Sequence, residues 1–233
     1  MLILRLARLD SAKVKGIYTV GGVPDRLPER ALFLTPDAAD SFLRFLADRV
    51  VVSDMFRTAE ASLAAVKAKR GAQPPGYSAH NYGIAIDIDV SKALASIPGV
   101  WTSKASLDNW MESHGWYCHR RDHKRGMEDW HYTFLGVGAS VSPKVRTLAA
   151  YTEAEIIRRF GEFLAPDDKE CQRMLRKLGL YRGDVDGVIG PQSRAAIGVF
   201  QRGWNLPPSG KLDTRTKRTL AYVSVGRDVP EGR

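Results

Sequence analysis

The fold of this chain is decided by the stretch Ser78-Ala79-His80-Asn81-Tyr82-Gly83-Ile84-Ala85-Ile86-Asp87-Ile88-Asp89-Val90. Its second half alternates, which predicts a strand with the isoleucines on one face and Asp87 and Asp89 on the other. His80 lies just upstream, in a loop that Gly83 allows to bend. A histidine and an aspartate at this spacing can converge on one metal ion, and their nitrogen and oxygen ligands suit zinc.

A second short strand that carries a histidine follows about forty residues later, in Glu128-Asp129-Trp130-His131-Tyr132-Thr133-Phe134. His80, Asp87 and His131 then supply three protein ligands, which leaves one tetrahedral position for water. Glu128 adds a carboxylate that can take a proton from that water.

The place of Glu128 requires a bend in the chain, because positions three apart point in opposite directions in an ideal strand. Glu128 is therefore expected just before the strand, with Asp129 as the alternative base if the bend falls one residue later. Trp130 is expected to pack beneath the site. Either motif alone also fits a core strand with a hydrogen-bonded histidine, but the two together indicate a metal site.

The two motifs resemble those of a known enzyme family. The pattern Ser-x-His-x-x-Gly-x-Ala-x-Asp followed by Glu-x-Trp-His is similar to that of the zinc D-alanyl-D-alanine carboxypeptidase and L-alanyl-D-glutamate endopeptidase family. These enzymes cut the peptide stems of bacterial peptidoglycan, and many phage endolysins are among them. The resemblance implies that His80, Asp87 and His131 hold zinc and that Glu128 is the catalytic base.

Two further residues are candidates for contact with substrate. Arg57 ends the predicted strand that begins at Val50, and the family carries an arginine at the corresponding place. It is expected to bind a substrate carboxylate or to stabilise an oxyanion, with a surface pair to Glu60 as the alternative. Ser78 is expected to hydrogen-bond within its loop and contact substrate, or to be a plain turn serine. The basic segment 118–126 can recognise stem-peptide carboxylates or be a solvated loop.

Capping residues mark several helix starts. Thr35, followed by proline, predicts a helix to about residue 48, and Thr58 predicts a second helix. Ser103 or Thr102 predicts a third, and a connector helix is expected at 152–164.

Length and composition fit a two-domain globular protein. The chain has 233 residues, 44% of them hydrophobic and 26% charged, and no apolar run approaches the ~20 residues that span a bilayer. Arg5 and Arg8 interrupt the opening residues, so they lack the apolar core of a secretion signal. We therefore expect a chain made in the cytoplasm without a signal peptide, or one whose signal has been removed. In either case it is expected to act at the bacterial cell wall and not to insert in membranes.

The distribution of charge bears on the partners of this chain, and the positions of its cysteines bear on their redox state. Of the net charge of +9, residues 167–233 contribute 13 basic and 8 acidic groups (+5) and the rest 22 and 18 (+4). This spread excess fits attraction to a polyanionic cell envelope or a role in solubility alone, and charge does not decide between the two. Nucleic-acid binding usually shows a concentrated basic face instead. Cys118 and Cys171 lie in different halves and are expected to be free thiols.

The C-terminal segment shows three amphipathic helical stretches, 169–178, 191–204 and 214–222. Its spaced residues Gln172-x-x-Leu175-x-x-Leu178-Gly179, Gly183-x-x-Asp186-Gly187-x-x-Gly190 and Gly210-x-Leu212-Asp213 resemble a three-helix peptidoglycan-binding module. The acidic loop lacks the order of an EF-hand, so it is interpreted as structural. We expect this segment to fold alone and residues 1–165 to cleave soluble stem peptides without it.

These observations predict an α+β catalytic domain, in which a small antiparallel sheet with flanking helices carries the zinc site, and an all-α three-helix domain. The expected boundaries are 1–150 for the peptidase, 151–167 for the connector and linker, and 168–233 for the peptidoglycan-binding domain. The expected function is a monomeric, endolysin-like zinc peptidase of peptidoglycan, with the L-Ala–D-Glu bond as its target. The alternatives are a D-Ala-D-Ala carboxypeptidase and a non-enzymatic wall-binding protein with a structural zinc.

Overall fold

The computed structural model describes residues 6–16, 18–20, 23–25, 31–68, 73–97, 101–118, 128–137 and 165–226. The predicted connector helix and all of the basic segment except Cys118 lie outside these residues.

The strands are short and belong to the N-terminal part of the chain. In chain order they are β1 (Ala7–Arg8), β2 (Tyr18–Val20), β3 (Val23–Asp25), β4 (Phe33–Leu34), β5 (Val52–Asp54), β6 (Ala85–Ile88), β7 (Trp116–Tyr117) and β8 (His131–Phe134). The last four form one antiparallel sheet in the order β5-β6-β8-β7. The predicted small antiparallel sheet is thus confirmed, and its two central strands are those of the two motifs.

Helices flank this sheet and make up the described C-terminal part. They are α1 (Pro36–Ser41), α2 (Ala59–Lys67), α3 (Val90–Ser96), α4 (Lys104–Ser113), α5 (Asp168–Lys177), α6 (Pro191–Gly203) and α7 (Thr214–Gly226). The described residues therefore have an α+β first part and a three-helix second part. The domain boundaries themselves stay a prediction.

The main core lies between the sheet and the flanking helices. Ile86 and Ile88 of β6 are buried there, as the alternation predicts, together with Phe42, Leu107 and Trp116. Burying such side chains contributes roughly 1.5–3 kcal/mol each. This core fixes the face of β6 that carries isoleucine, so Asp87 must point to the other side of the sheet.

Some local predictions hold and others are wrong. The Thr58 hydroxyl accepts from the Ala61 N–H at 3.2 Å and Ser103 caps α4, as predicted. Thr35 precedes α1 but makes no side-chain cap, and the helix continues only as a π-helical turn, Phe42–Leu46. Asp89 does not share the strand face with Asp87, because β6 ends at Ile88 and the Asp89 carboxylate caps α3 by accepting from the Lys92 N–H.

The three C-terminal helices contain an internal repeat. The Gln172 side chain of α5 binds Asp186, the Gly187 N–H, the Val188 carbonyl and Ser193. The Gln201 side chain of α6 binds the corresponding groups of Ser209, Gly210, Lys211 and Thr216. In each repeat a buried amide of one helix therefore holds the loop that precedes the next helix.

The two parts of the chain share a second core. Ala59, Ala79, Tyr82 and Ile84 of the first part belong to the same buried cluster as apolar residues of all three C-terminal helices. The shared core was not predicted, because amphipathic patterns do not show which surface a helix face will cover. Independent folding of the two parts stays a prediction. None of the helices in the described part combines the length and the apolar character needed to span a bilayer.

Candidate metal centre

The pairing of β6 with β8 brings the two motifs together. Asp87 lies directly opposite His131 in the register, and Ala85 lies opposite Thr133. Directly opposed residues of an antiparallel pair project from the same face, so the aspartate and the histidine meet on the face opposite the isoleucines. Two of the three predicted ligands are thus placed by sheet register alone.

His80 reaches the same face from a short 3₁₀ turn, Ala79–Tyr82, that precedes β6. Ser78 is its N-cap, and the Ser78 hydroxyl accepts from the His80 N–H at 3.4 Å. Gly83 ends the turn with φ +65°, where a side chain would collide with Leu6 and the Thr35 backbone. Ser78 is buried and hydrogen-bonded within its loop, as predicted; its contact with substrate stays a prediction.

The three ligand atoms lie close together. The Asp87 Oδ1 atom is 2.7 Å from His131 Nδ1 and 3.1 Å from His80 Nε2, and the two nitrogens are 3.1 Å apart. A tetrahedral ion with bonds near 2.1 Å separates its ligands by roughly 3.4 Å. The spacing therefore approaches that of a metal-ligand set, and these residues can hold a metal ion.

The surroundings of the two rings also favour a cation. The Met55 carbonyl oxygen lies 2.5 Å from His80 Nδ1 and can only accept, so this nitrogen carries a proton. In the neutral ring, His80 Nε2 then directs its lone pair at Asp87 and His131. Thr133 Oγ1 lies 3.3 Å from His131 Nε2 on the far side of the second ring. His80 Nε2 and the Asp87 carboxylate thus direct lone pairs inward, where His131 Nδ1 also lies, and a cation would interact with all three.

The charges at the cluster also favour a positive charge among these side chains. Burial alone would lower the pKa of His80, but the carboxylates of Asp87 and Asp54 raise it above its usual value. Burial alone would raise the pKa of Asp87, but the two histidines hold it well below its usual range. Asp87 is therefore ionised at neutral pH, as metal binding requires, whereas a metal ion at His80 would have to displace the proton that the raised pKa favours.

Arg57 lies beside this cluster and pairs with Asp54 rather than with Glu60. Its Nε atom donates to Asp54 Oδ2 at 3.1 Å, and its Nη2 atom contacts the same oxygen. Asp54 lies opposite Asp87 in the β5–β6 pairing, which contains a bulge here. The Arg57 N–H also donates to the His80 carbonyl oxygen at 3.1 Å. These contacts keep Arg57 next to the histidine loop.

Glu128 occupies the bend that the sequence requires. The His131 N–H donates to the Glu128 carbonyl oxygen at 3.2 Å, which closes a turn before β8 begins at His131. Glu128 and Asp129 are both partly exposed, so the choice of base between them stays a prediction. Trp130 is 40% exposed, so the expectation that it packs beneath the site is wrong. Trp130 lies in the turn and not in the strand, so its side chain does not follow the strand alternation on which the expectation rested.

Several residues around the site were not predicted from the sequence. Met55 contributes only its carbonyl oxygen, which carries no residue signature. Thr133 follows His131 by two positions, and strand alternation could have placed it on the same face. Asp54 lies three residues before Arg57, but Glu60 on the next helix was the only partner considered for Arg57 in the sequence. Asn81 of the first motif is fully buried and ties Arg57 to the loop, as described below.

Family comparisons agree with both parts of the sequence interpretation. Residues 52–137 match the family model described as D-alanyl-D-alanine carboxypeptidase. Residues 165–220 match the family model described as putative peptidoglycan binding domain. The first match contains the three clustered side chains, Arg57 and Glu128, and the second contains the repeat of α5 and α6. The predicted resemblance to a peptidoglycan peptidase with a wall-binding domain is confirmed.

Curated proteins match only over a short segment. The localization factor PodJL of Caulobacter vibrioides is 46% identical over 54 residues, which cover 23% of this chain and 6% of that protein. The putative OxPP cycle protein OpcA of Synechococcus elongatus is 43% identical over 61 residues, 25% of this chain and 14% of that protein. Its counterpart from Nostoc punctiforme is 41% identical over 57 residues, 24% and 12%. The comparison with solved structures gave no significant match.

Proposed function

We propose that this protein is a zinc peptidase that hydrolyses a peptide bond in the stem peptides of bacterial peptidoglycan. The observation that carries the proposal is the convergence of His80 Nε2, Asp87 Oδ1 and His131 Nδ1 to separations of 2.7–3.1 Å. The match to the carboxypeptidase family supplies the reaction class, and the match to the peptidoglycan-binding domain supplies the polymer. Nitrogen and oxygen ligands in a set of three suit zinc.

Each candidate residue of the site has its own role in the proposed reaction. His80, Asp87 and His131 would hold zinc, which when bound acidifies water and polarises the scissile carbonyl. Glu128 takes the proton of the attacking water and passes it to the leaving amine. Arg57, held beside the cluster by Asp54, stabilises the oxygen on which negative charge develops or binds a stem-peptide carboxylate. Ser78 fixes the loop of His80 and borders the substrate.

Within this class we favour cleavage between L-Ala and D-Glu, as in endolysins of the family that this chain resembles. Removal of terminal D-Ala is the second candidate, and the description of the matching family favours it directly. Both reactions use the same site and differ in the walls around it. The C-terminal part would keep the enzyme on its polymer and raise the local concentration of substrate. On this proposal the enzyme acts at the cell wall, as a monomer.

Digestion of purified peptidoglycan by the zinc-loaded full chain separates these reactions. Mass spectrometry of the products should show new amino termini on D-Glu for the endopeptidase and free D-Ala for the carboxypeptidase. The matched control is Glu128→Gln, which removes the base but keeps the size of the side chain. A wild-type chain that binds peptidoglycan and zinc but releases neither product would establish a non-enzymatic binder and refute the proposal.

A further inference from the structure

The last helix of the wall-binding part, α7, packs against the loop that carries His80. Tyr222 is buried, and its ring centroid lies 5.6 Å from that of Tyr82. The Thr219 hydroxyl donates to the Pro75 carbonyl oxygen at 3.3 Å. The Arg218 guanidinium lies over the Tyr77 ring, 4.5 Å from its centroid. The helix thus contacts this loop at Pro75, Tyr77 and Tyr82.

The loop is also shaped to receive this helix. Gly76 has φ +84°, and a Cβ atom there would lie 3.1 Å from Tyr222 Cβ. The Gly76 carbonyl oxygen accepts from the Tyr82 hydroxyl at 2.9 Å, and its N–H donates to Asn81 Oδ1 at 3.0 Å. The close approach of α7 and the conformation of the loop therefore depend on the same glycine.

One contact of α7 reaches the catalytic arginine itself. The Tyr222 hydroxyl donates to the Arg57 carbonyl oxygen at 2.8 Å. The same oxygen accepts from Asn81 Nδ2 at 2.8 Å, while the Arg57 N–H donates to the His80 carbonyl oxygen. The backbone of Arg57 is thus held on one side by the His80 loop and on the other by the wall-binding part.

We infer that Tyr222 is a positioning residue of the peptidase site, acting through Arg57. It lies outside the catalytic family match, which ends at residue 137. The side chain of Arg57 begins at the backbone unit that Tyr222 and Asn81 hold, so loss of one bond lets the guanidinium shift relative to the cluster. A misplacement of about 1 Å can lower the rate of an enzyme roughly 100-fold, so even a small shift of the Arg57 guanidinium should lower activity. The inference rests on the proposed function for the role of Arg57.

The test uses the full chain with Tyr222→Phe, which removes the hydroxyl and keeps the buried ring. Tyr181→Phe is the matched control, because the Tyr181 hydroxyl also donates to a backbone carbonyl, that of Asp184, at 2.8 Å within the C-terminal part. On a soluble stem peptide, Tyr222→Phe should lower kcat/KM about 3- to 10-fold, the factor set by one neutral hydrogen bond. Tyr181→Phe should leave it unchanged, and zinc content should stay that of wild type in both.

A double-mutant cycle distinguishes positioning from general stability. In an Arg57→Ala background the backbone carbonyl remains but the guanidinium is gone, so Tyr222→Phe should change kcat/KM less than about 2-fold. An equal loss in both backgrounds, or no loss in the wild-type background, would overturn the inference.

Hydrogen exchange keeps the inference testable if the wild-type chain proves inactive, which would refute the proposed function separately. Tyr222→Phe should speed exchange of the amides of residues 76–83, while Tyr181→Phe should not. In that case, unchanged exchange in this loop would overturn the inference by itself.

Discussion

Replacing Gln201 with alanine is expected to destabilise the three C-terminal helices by about 2–4 kcal/mol. The buried amide contacts Ser209 Oγ at 3.1 Å, the Lys211 carbonyl at 3.0 Å and Thr216 Oγ1 at 3.0 Å, and its oxygen accepts from the Gly210 N–H at 2.8 Å. Three of these contacts share the two N–H groups of the Gln201 amide, and the fourth uses its oxygen. Together they count as three hydrogen bonds. Each contributes roughly 0.5–1.5 kcal/mol, and a buried partner left unpaired adds to the loss.

The thiol of Cys171 gives an assay that is specific for this part of the chain. Burial raises the pKa of Cys171 to about 12, so at pH 8 the native thiol is protonated and unreactive. Iodoacetamide therefore modifies it only when the helices open. Peptide mass spectrometry distinguishes Cys171 from Cys118, which is buried in the main core. A loss of about 2–4 kcal/mol should raise the rate at Cys171 roughly 30- to 900-fold.

The internal repeat supplies the matched controls. Gln172→Ala removes the equivalent contacts from the other repeat and should accelerate modification of Cys171 to a similar extent. Gln192→Ala changes an exposed glutamine of α6 and should have little effect, because such substitutions stay within about 0.5 kcal/mol. A Gln201→Ala chain whose Cys171 reacts within about 3-fold of the wild-type rate would refute the argument that the amide holds the loop.

The other predictions concern the metal centre and the contact between the two parts. The wild-type chain should carry about one zinc and His131→Ala should lose most of it by elemental analysis; full retention would contradict the ligand assignment. Glu128→Gln should keep zinc but lose at least about 10²–10⁴-fold in hydrolysis, whereas an active Glu128→Gln beside a dead Asp129→Asn would identify the other carboxylate as the base. Residues 1–165 alone should hydrolyse soluble stem peptides more slowly than the full chain, because Tyr222 and the shared core are missing; equal rates would show that the contact with α7 has no catalytic consequence.

The sequence predicted those features that depend on local signals. The alternation through Asp87 predicted β6 and its buried face, because side chains of a strand must alternate. Thr58 and Ser103 predicted helix starts through bonds to N–H groups three residues on. The need for a bend before His131 followed from the same alternation, and the turn at Glu128 is in the structure.

Features that depend on contacts distant in sequence were not predictable in this way. Asp89 follows the alternation, yet it caps α3 because β6 ends one residue earlier. Asp54 is the partner of Arg57 and lies at the bulge between β5 and β6, which no residue pattern predicts. Tyr222 reads in the sequence as an ordinary apolar position of an amphipathic helix. Its contact with Arg57 exists only because α7 lies on the first part of the chain.

The three C-terminal helices therefore have unequal roles. The repeat couples α5 and α6 to the loops that follow them through Gln172 and Gln201, whereas α7 places Tyr222 and Thr219 against the first part of the chain. A buried face that is already covered cannot also contact a polymer, so on the proposed function peptidoglycan would meet other surfaces of the three helices. Because α7 packs on the loop of His80, the polymer would be held in a fixed orientation relative to the candidate metal centre rather than on a loose tether. On that proposal, attachment to the wall and the position of Arg57 would depend on the same folded unit.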